Sequence, residues 1–282
     1  MAPSRRKVRP AQARSPVDEM LEAPAQLTMT PSVPAAGPAV EPLRAREALP
    51  LSSLSAFFPA HDEEANVVPM AEALLEILPK VAERWELIIV DDGSRDRTPE
   101  LADQLARTHP GVRVVHHPVN RGYGAAVRSG IAACRFDYVF FTDGDRQFDP
   151  AQITALVPQL AQADVVVGYR HARADPLVRR LNAAGWNLLM RALLRLPVRD
   201  VNCAFKLFRR EALAGIEARA DGAMLSAELI ARIARRGHRI VEVPVAHLPR
   251  RAGTPTGAKP AVILRAFAEL LRLRRDLRPP RP

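Results

Sequence analysis

Asp143 and Asp145 stand one residue apart at the end of the apolar run Tyr138-Val139-Phe140-Phe141, and the amide Gln147 follows. Side chains at i and i+2 of an extended chain point the same way, so both carboxylates can address one point. Gly144 between them removes a side chain and lets the backbone turn sharply. Two hard oxygen ligands, with a third from Gln147, suit Mg2+ or Mn2+ carrying substrate phosphates. The same stretch also fits a plain polar turn with an Asp cap for a helix after Pro150. Two further polar clusters close apolar runs in the same manner: Pro59-Ala60-His61-Asp62-Glu63-Glu64 and Asp91-Asp92-Gly93-Ser94.

The elements that must position these groups alternate. Strands are expected at 51–58, 87–90, 112–116, 138–141 and 165–167, with helices at 63–82, 98–107, 122–133 and 150–161. Leu87-Ile88-Ile89-Val90 is apolar throughout, as a parallel strand covered on both faces demands. In open α/β sheets, ligands bind beyond the carboxyl ends of the strands. All three acidic clusters fall at such ends, which favours a site over an incidental turn. Beyond Gly168 the pattern continues with a helix at 176–196, a strand at 200–208, a helix at 226–236, a strand at 238–245 and a helix at 260–275. The expected class is α/β: a mostly parallel, Rossmann-like sheet with helices on both faces.

Composition sets bounds. The chain has 282 residues, 48% of them hydrophobic, enough for one large domain or two small ones. No run of about 18 apolar residues exists, so no transmembrane helix is expected. Arg5-Arg6-Lys7 has no apolar core after it, which argues against a cleaved signal peptide. Cys134 and Cys203 are the only cysteines, too few for a disulfide framework, and imply a reducing compartment. Residues 1–50 hold nine of the 26 prolines and no apolar period, and are expected to form a disordered tail.

The net charge of +10 is unevenly placed. Residues 170–200 carry seven arginines against two aspartates, and residues 250–282 carry nine Lys/Arg against two acids. Helices 176–196 and 260–275 are basic and amphipathic. Such helices either lie in a membrane interface or pack as ordinary helices with a solvated face. The excess charge suits an anionic partner such as nucleic acid, phospholipid or a phosphorylated substrate, or serves solubility. No recognisable nucleic-acid module is present, so nucleic acid is not expected. Asn120-Arg121-Gly122-Tyr123-Gly124-Ala125-Ala126-Val127 is a partial dinucleotide fingerprint with Val127 at the third glycine position, weak support for NAD. There is no P-loop and no His/Cys metal cluster.

The order of these motifs resembles family 2 glycosyltransferases with the GT-A fold. The likeness is strongest to the dolichol-phosphate mannose synthase, or polyprenyl-phosphate glycosyltransferase, branch. It rests on Pro59–Glu63, on Val90-Asp91-Asp92-Gly93-Ser94 with Asp96 and Thr98, on Asn120–Gly124, and on Asp143, Asp145 and Gln147. Arg170, Arg179, the Asp200…Phe205-Lys206 stretch, Glu242-Val243-Pro244-Val245 and Arg250–Gly253 continue it. The resemblance implies a GT-A domain over 51–257, followed by a basic amphipathic C-terminal helix and tail over 258–282. It implies that Pro59, Ala60, His61, Glu63, Asp91, Asp92, Gly122 and Asp143 hold the sugar nucleotide. Asp143, Asp145 and Gln147 would hold the metal, Mg2+ or Mn2+. Arg170 and Arg179, with Asn182 and Lys206, would take the acceptor phosphate. Asp145, Arg170 and Arg179 would carry the catalysis. Departures are His61-Asp62, where the family usually has Tyr-Asn, and Ala183, where a serine often assists the acceptor.

The implied reaction is an inverting transfer of a hexose to a polyprenyl or dolichyl phosphate at the inner, cytoplasmic face of a membrane. The donor would be GDP-mannose first and UDP-glucose second. The chain would bind the membrane peripherally, with a separate membrane-protein partner as a possible companion. A phosphate acceptor is already ionised and needs no general base, which fits the lack of a Ser/His or Cys/His pair. Two alternatives remain. One is transfer to a glycan or glycolipid hydroxyl, with Asp200 or Glu228 as base. The other is a non-catalytic, membrane-associated binding module.

Overall fold

The computed structural model describes residues 50–171, 177–220, 222, 224–249 and 269–277, with the side chains of 177–184 outside that description. Residues 1–49 of the tail expected over 1–50 lie outside the described residues, as do all of 250–268.

Seven strands form one sheet: β1 (Leu51–Ala60), β2 (Ala82–Asp91), β3 (Val112–His116), β4 (Tyr138–Thr142), β5 (Val165–His171), β6 (Phe205–Arg209) and β7 (Ile240–Ala246). Their order is β3-β2-β1-β4-β6-β5-β7. All neighbours run parallel except β6, which is antiparallel to both β4 and β5. The chain steps outward from β1 to β3, then returns to the other side of β1 with β4. The crevice beyond β1 and β4 is therefore a topological switch point, the place where such sheets bind ligands.

The helices are α1 (Val67–Val81), α2 (Thr98–Thr108), α3 (Tyr123–Ala133), α4 (Ile153–Leu156), α5 (Leu177–Leu194), α6 (Arg210–Leu213) and α7 (Met224–Arg235). Alternation along β4 sends Phe141 to one face of the sheet, stacked on Phe57 at 5.1 Å, and Phe140 to the other, edge-on to Phe205 at 4.8 Å. Both faces are thus apolar and covered. Cys134 and Cys203 are buried free thiols.

Three elements differ from expectation, each for a local reason. Helix α1 starts at Val67 rather than at 63, because the amides of Glu63 and Glu64 donate to the side chains of Thr98 and Asp96 instead of opening a helix. The expected helix over 150–161 is a short α-helix between two 3-10 turns; Pro158 can donate no backbone bond in its second half. The strand expected over 200–208 begins only at Phe205. Residues 269–276 are helical and bury Leu270, Leu273 and Leu277, an i, i+3, i+7 stripe, against the core. Over these residues Leu270, Leu273 and Leu277, part of the apolar set, are taken up by the protein itself, while Leu271 stays exposed. No helix among the described residues is long and apolar enough to cross a membrane.

Candidate active site

The aspartate pair sits where β4 ends. A Cβ on Gly144 would lie 2.7 Å from the Pro59 carbonyl oxygen, so only glycine lets this turn press against the end of β1. Asp145 Oδ1 accepts from the Gln147 amide at 3.1 Å, and Arg146 between them is left-handed at φ 59°. Asp143 Oδ1 accepts from the Tyr123 hydroxyl at 2.9 Å. Burial and the neighbouring Asp145 charge push Asp143 up to about 7. Burial and Asp143 in turn raise the Tyr123 hydroxyl well above its ordinary value. Gln147 ties the turn to the end of β7: its Nε2 donates to the Leu248 carbonyl at 3.3 Å, and Leu248 N donates to the Gln147 carbonyl at 2.8 Å. The helix cap is also present, supplied by Asp149, whose carboxylate accepts from Ala151 N at 2.9 Å. Turn, cap and aspartate pair coexist.

The loops after β1 and β2 are stitched into one wall. Asp62 N donates to Ser94 Oγ at 3.0 Å, and Arg95 N donates back to Asp62 Oδ1 at 2.8 Å. Glu63 N donates to Thr98 Oγ1 at 2.9 Å. Pro59 and Ala60 end β1 beside this wall, and the half-exposed His61 lies 3.5 Å from Asp62. Asp91 accepts from Ser94 N at 3.0 Å and faces His116 Nδ1 at 2.9 Å. Burial opposes the charge of His116, but its bonds to Asp91 and Asp103 raise its pKa overall. Asp92 is buried and holds the loop before α3: it meets His117 Nδ1 at 2.6 Å and accepts from Arg121 N and Gly122 N at 2.9 and 2.8 Å. Gly93 makes this closure possible. Its φ is 68°, and a Cβ there would lie 2.4 Å from the Val119 carbonyl carbon.

On the other side of the aspartates, Arg170 grips Asp200 with both prongs, at 2.7 Å from Nε and 2.8 Å from Nη2. Burial opposes its charge, yet those bonds carry Arg170 above its usual range. Lys206 pairs with Phe141 across β4 and β6 and is 1% exposed. Its ammonium donates to the Cys203 carbonyl and stands 5.8 Å from the Phe141 ring. Burial lowers its pKa against the pull of Asp200 and Asp143. Lys206 is therefore buried beneath the site rather than open to it. Arg179 and Asn182 lie on α5, with side chains outside the described residues. Glu228 is spent elsewhere: it accepts from Arg219 N, Ala220 N and Arg232 Nε at 2.8, 2.6 and 2.8 Å.

The donor set fits a divalent ion. Among the described residues no group of three His, Cys, Asp or Glu could enclose a metal. Two carboxylates and an amide are oxygen donors of the kind that Mg2+ or Mn2+ would take if substrate phosphates completed its shell. A cation there would also offset the burial and the Asp145 charge that raise Asp143. Tyr123, His116 and His117, which bond to Asp143, Asp91 and Asp92, were not among the residues expected at the site; Tyr123 stands inside the Asn120–Gly124 motif, its one sequence signal.

Residues 55–216 match the family model described as Glycosyl transferase family 2. The chain belongs to that family. Family 2 relatives include an undecaprenyl-phosphate 4-deoxy-4-formamido-L-arabinose transferase of Pectobacterium atrosepticum, 30% identical over 207 residues, 72% of this chain and 62% of that one. A dodecaprenyl-phosphate galacturonate synthase of Rhizobium johnstonii is 33% identical over 175 residues, 60% of this chain and 52% of the relative. A dolichyl-phosphate beta-glucosyltransferase of Trichomonas vaginalis is 30% identical over 210 residues, 68% of this chain and 64% of the relative. The chain thus spans between about half and two thirds of these curated relatives. Glucosyl-3-phosphoglycerate synthase of Mycobacterium tuberculosis, solved with Mn2+, UDP-glucose and phosphoglyceric acid, shares the fold at TM-score 0.61 and 23% identity, over 79% of this chain and 80% of that one. The same enzyme with Mg2+ and UDP gives a TM-score of 0.62. The GT-A-type fold expected of a family 2 chain is the fold observed.

Proposed function

We propose that this family 2 chain transfers a hexose from a sugar nucleotide to the phosphate of a polyprenyl lipid, with inversion, at the inner face of a membrane. The observation that carries the choice of acceptor is the state of the two carboxylates weighed as bases. Asp200 is gripped by Arg170, and Glu228 is saturated by Arg232 and two backbone amides. A hydroxyl acceptor needs a base to take its proton. A phosphate monoester carries about −1.5 to −2 charge at pH 7 and needs none.

The wall of Pro59, Ala60, His61, Glu63, Asp91 and Gly122 receives the nucleotide, with Asp92 fixing the loop that ends at Gly122. Mg2+ or Mn2+ held by Asp143, Asp145 and Gln147 would neutralise charge building on the departing diphosphate. Tyr123 keeps Asp143 oriented. Asp200 takes the Nε and Nη2 prongs of Arg170 and aims its plane, and the N–H donors it does not take would meet an anionic acceptor oxygen. By their match to the family pattern, Arg179 and Asn182 of α5 would serve the acceptor, and buried Lys206 would add positive charge. An acceptor entering opposite the leaving group inverts the anomeric centre.

The relatives' names divide over the sugar among formamido-arabinose, galacturonate and glucose, and the fold's neighbours carry UDP. A UDP-linked hexose is therefore the first donor to try, and GDP-mannose the second. Peripheral binding to the membrane, alone or beside a membrane-protein partner, follows from the lipid acceptor. The test is to incubate the protein with Mg2+, a polyprenyl phosphate and a panel of labelled sugar nucleotides. Label entering the organic phase from one donor supports the reading; no transfer from any donor overturns it.

A further inference from the structure

A cleft of about 680 Å³ opens where α5, α7 and the helical segment 269–276 meet. Ala231, Ala234 and Leu277 contribute to an apolar lining, and Arg195, Arg235 and Arg274 give it charge. Among the described residues no acidic side chain lines it. None of its residues belongs to the set around Asp143, Asp145 and Arg170.

The arginines differ from an ordinary solvated fringe in their company. Arg232, on the same helix, is neutralised by Glu228 at 2.6 Å. Among the described residues no carboxylate pairs with Arg195 or Arg235. Partial burial, then the like charges of Arg195 and Arg232, pull the Arg235 guanidinium below its usual range. Such a group gains from an anion more than a paired arginine does. Two large apolar side chains stand nearby in the open: Leu188 is 66% exposed and Leu271 54%. Leu188 lies one helical turn before Ala192 of the cleft, and Leu271 one turn before Arg274, so each extends the rim. Exposed leucines beside unpaired arginines are the surface of a helix that enters a lipid interface. A free phosphate has no use for the leucines.

We infer that this cleft is a second, non-catalytic lipid site. It takes the phosphodiester headgroup of an acidic phospholipid between Arg195, Arg235 and Arg274, with Leu188 and Leu271 in the acyl boundary. The inference deepens the proposed membrane placement and rests on it for the source of the anion.

The full chain is sedimented with vesicles of phosphatidylcholine, with or without phosphatidylglycerol, at low salt and without donor. Binding to the phosphatidylglycerol vesicles is expected. The double variant Arg195→Gln/Arg235→Gln should lose roughly tenfold or more in partitioning. Arg272→Gln/Arg275→Gln removes equal charge outside the cleft lining and should lose far less. Equal losses in the two pairs would mean diffuse charge and overturn the site. Displacement by inorganic phosphate at concentrations that leave ionic strength unchanged would overturn the lipid source. Transfer to polyprenyl phosphate in detergent should be unchanged in Arg195→Gln/Arg235→Gln; a matching loss there would make the cleft part of the acceptor site instead. Sedimentation scores the cleft and transfer scores the reaction, so either can fail alone.

Discussion

Arg170 on β5 and Asp200 in the turn before β6 form a two-pronged ion pair, 2.7 and 2.8 Å long, with Arg170 N adding a third bond to the same carboxylate at 3.2 Å. The pair fixes the guanidinium plane beside the aspartates. Asp200→Asn should leave Arg170 charged but loosely aimed. The expected outcome is a rise in acceptor KM of roughly 10- to 100-fold, the worth of charge-assisted bonds, with nucleotide affinity nearly unchanged. Steady-state kinetics varying acceptor and donor separately check this. If Asp200 were instead a general base, kcat would collapse while acceptor KM held.

Asp145→Asn should lower transfer by roughly a thousandfold, since metal stabilisation of a leaving group contributes several kcal/mol. The protein should stay folded by circular dichroism, and the thermal shift on adding Mn2+ and UDP should vanish. Near-normal turnover would remove the aspartate pair from the reaction.

The pH dependence follows from Asp143, whose pKa in the fold is about 7 against an ordinary 3.8. A raised carboxylate pKa means the fold disfavours ionisation. Metal-free protein should therefore lose stability as pH rises from about 4 to 7, where the unfolded chain has already released the proton. A cation needs the ionised form, so Mn2+ affinity should fall as pH drops below about 7. Tyr123→Phe removes a bond that favours the ionised form and should move that metal-binding midpoint upward by about one unit. Calorimetric titration across pH in both proteins measures it; an unmoved midpoint would detach Tyr123 from the site.

Gly144→Ala places a Cβ 2.7 Å from the Pro59 carbonyl oxygen, a backbone atom that cannot swing away. A loss of about 1–3 kcal/mol is expected in denaturant unfolding. Mn2+ affinity should weaken too, as the two aspartates are pushed off β1.

Much of the layout was legible because its causes are local. Leu87–Val90 announces a covered parallel strand by composition, and the acidic clusters announce strand ends by following such runs. The three clusters converge because topology forces them to. What escaped depends on distant partners. Nothing near Phe205–Arg209 says that this strand inserts antiparallel between β4 and β5. His117 and Asp92 are 25 positions apart, and their bond exists only once β2 and the loop after β3 lie side by side. The resemblance placed Lys206 on the acceptor side through the Asp200…Phe205-Lys206 stretch; sequence could not show that its place opposite Phe141 buries the ammonium. Within the helix expected over 260–275, residues 269–275 are helical, but sequence could not say that Leu270 and Leu273 face the core.

The central claim is that the acceptor arrives ionised and needs no base. It is tested most directly by offering the protein a polyprenyl phosphate and the matching polyprenol side by side, with Mg2+ and the donor that labels best. Label should enter the organic phase with the phosphate and not with the alcohol. Equal or greater transfer to the alcohol would contradict the account.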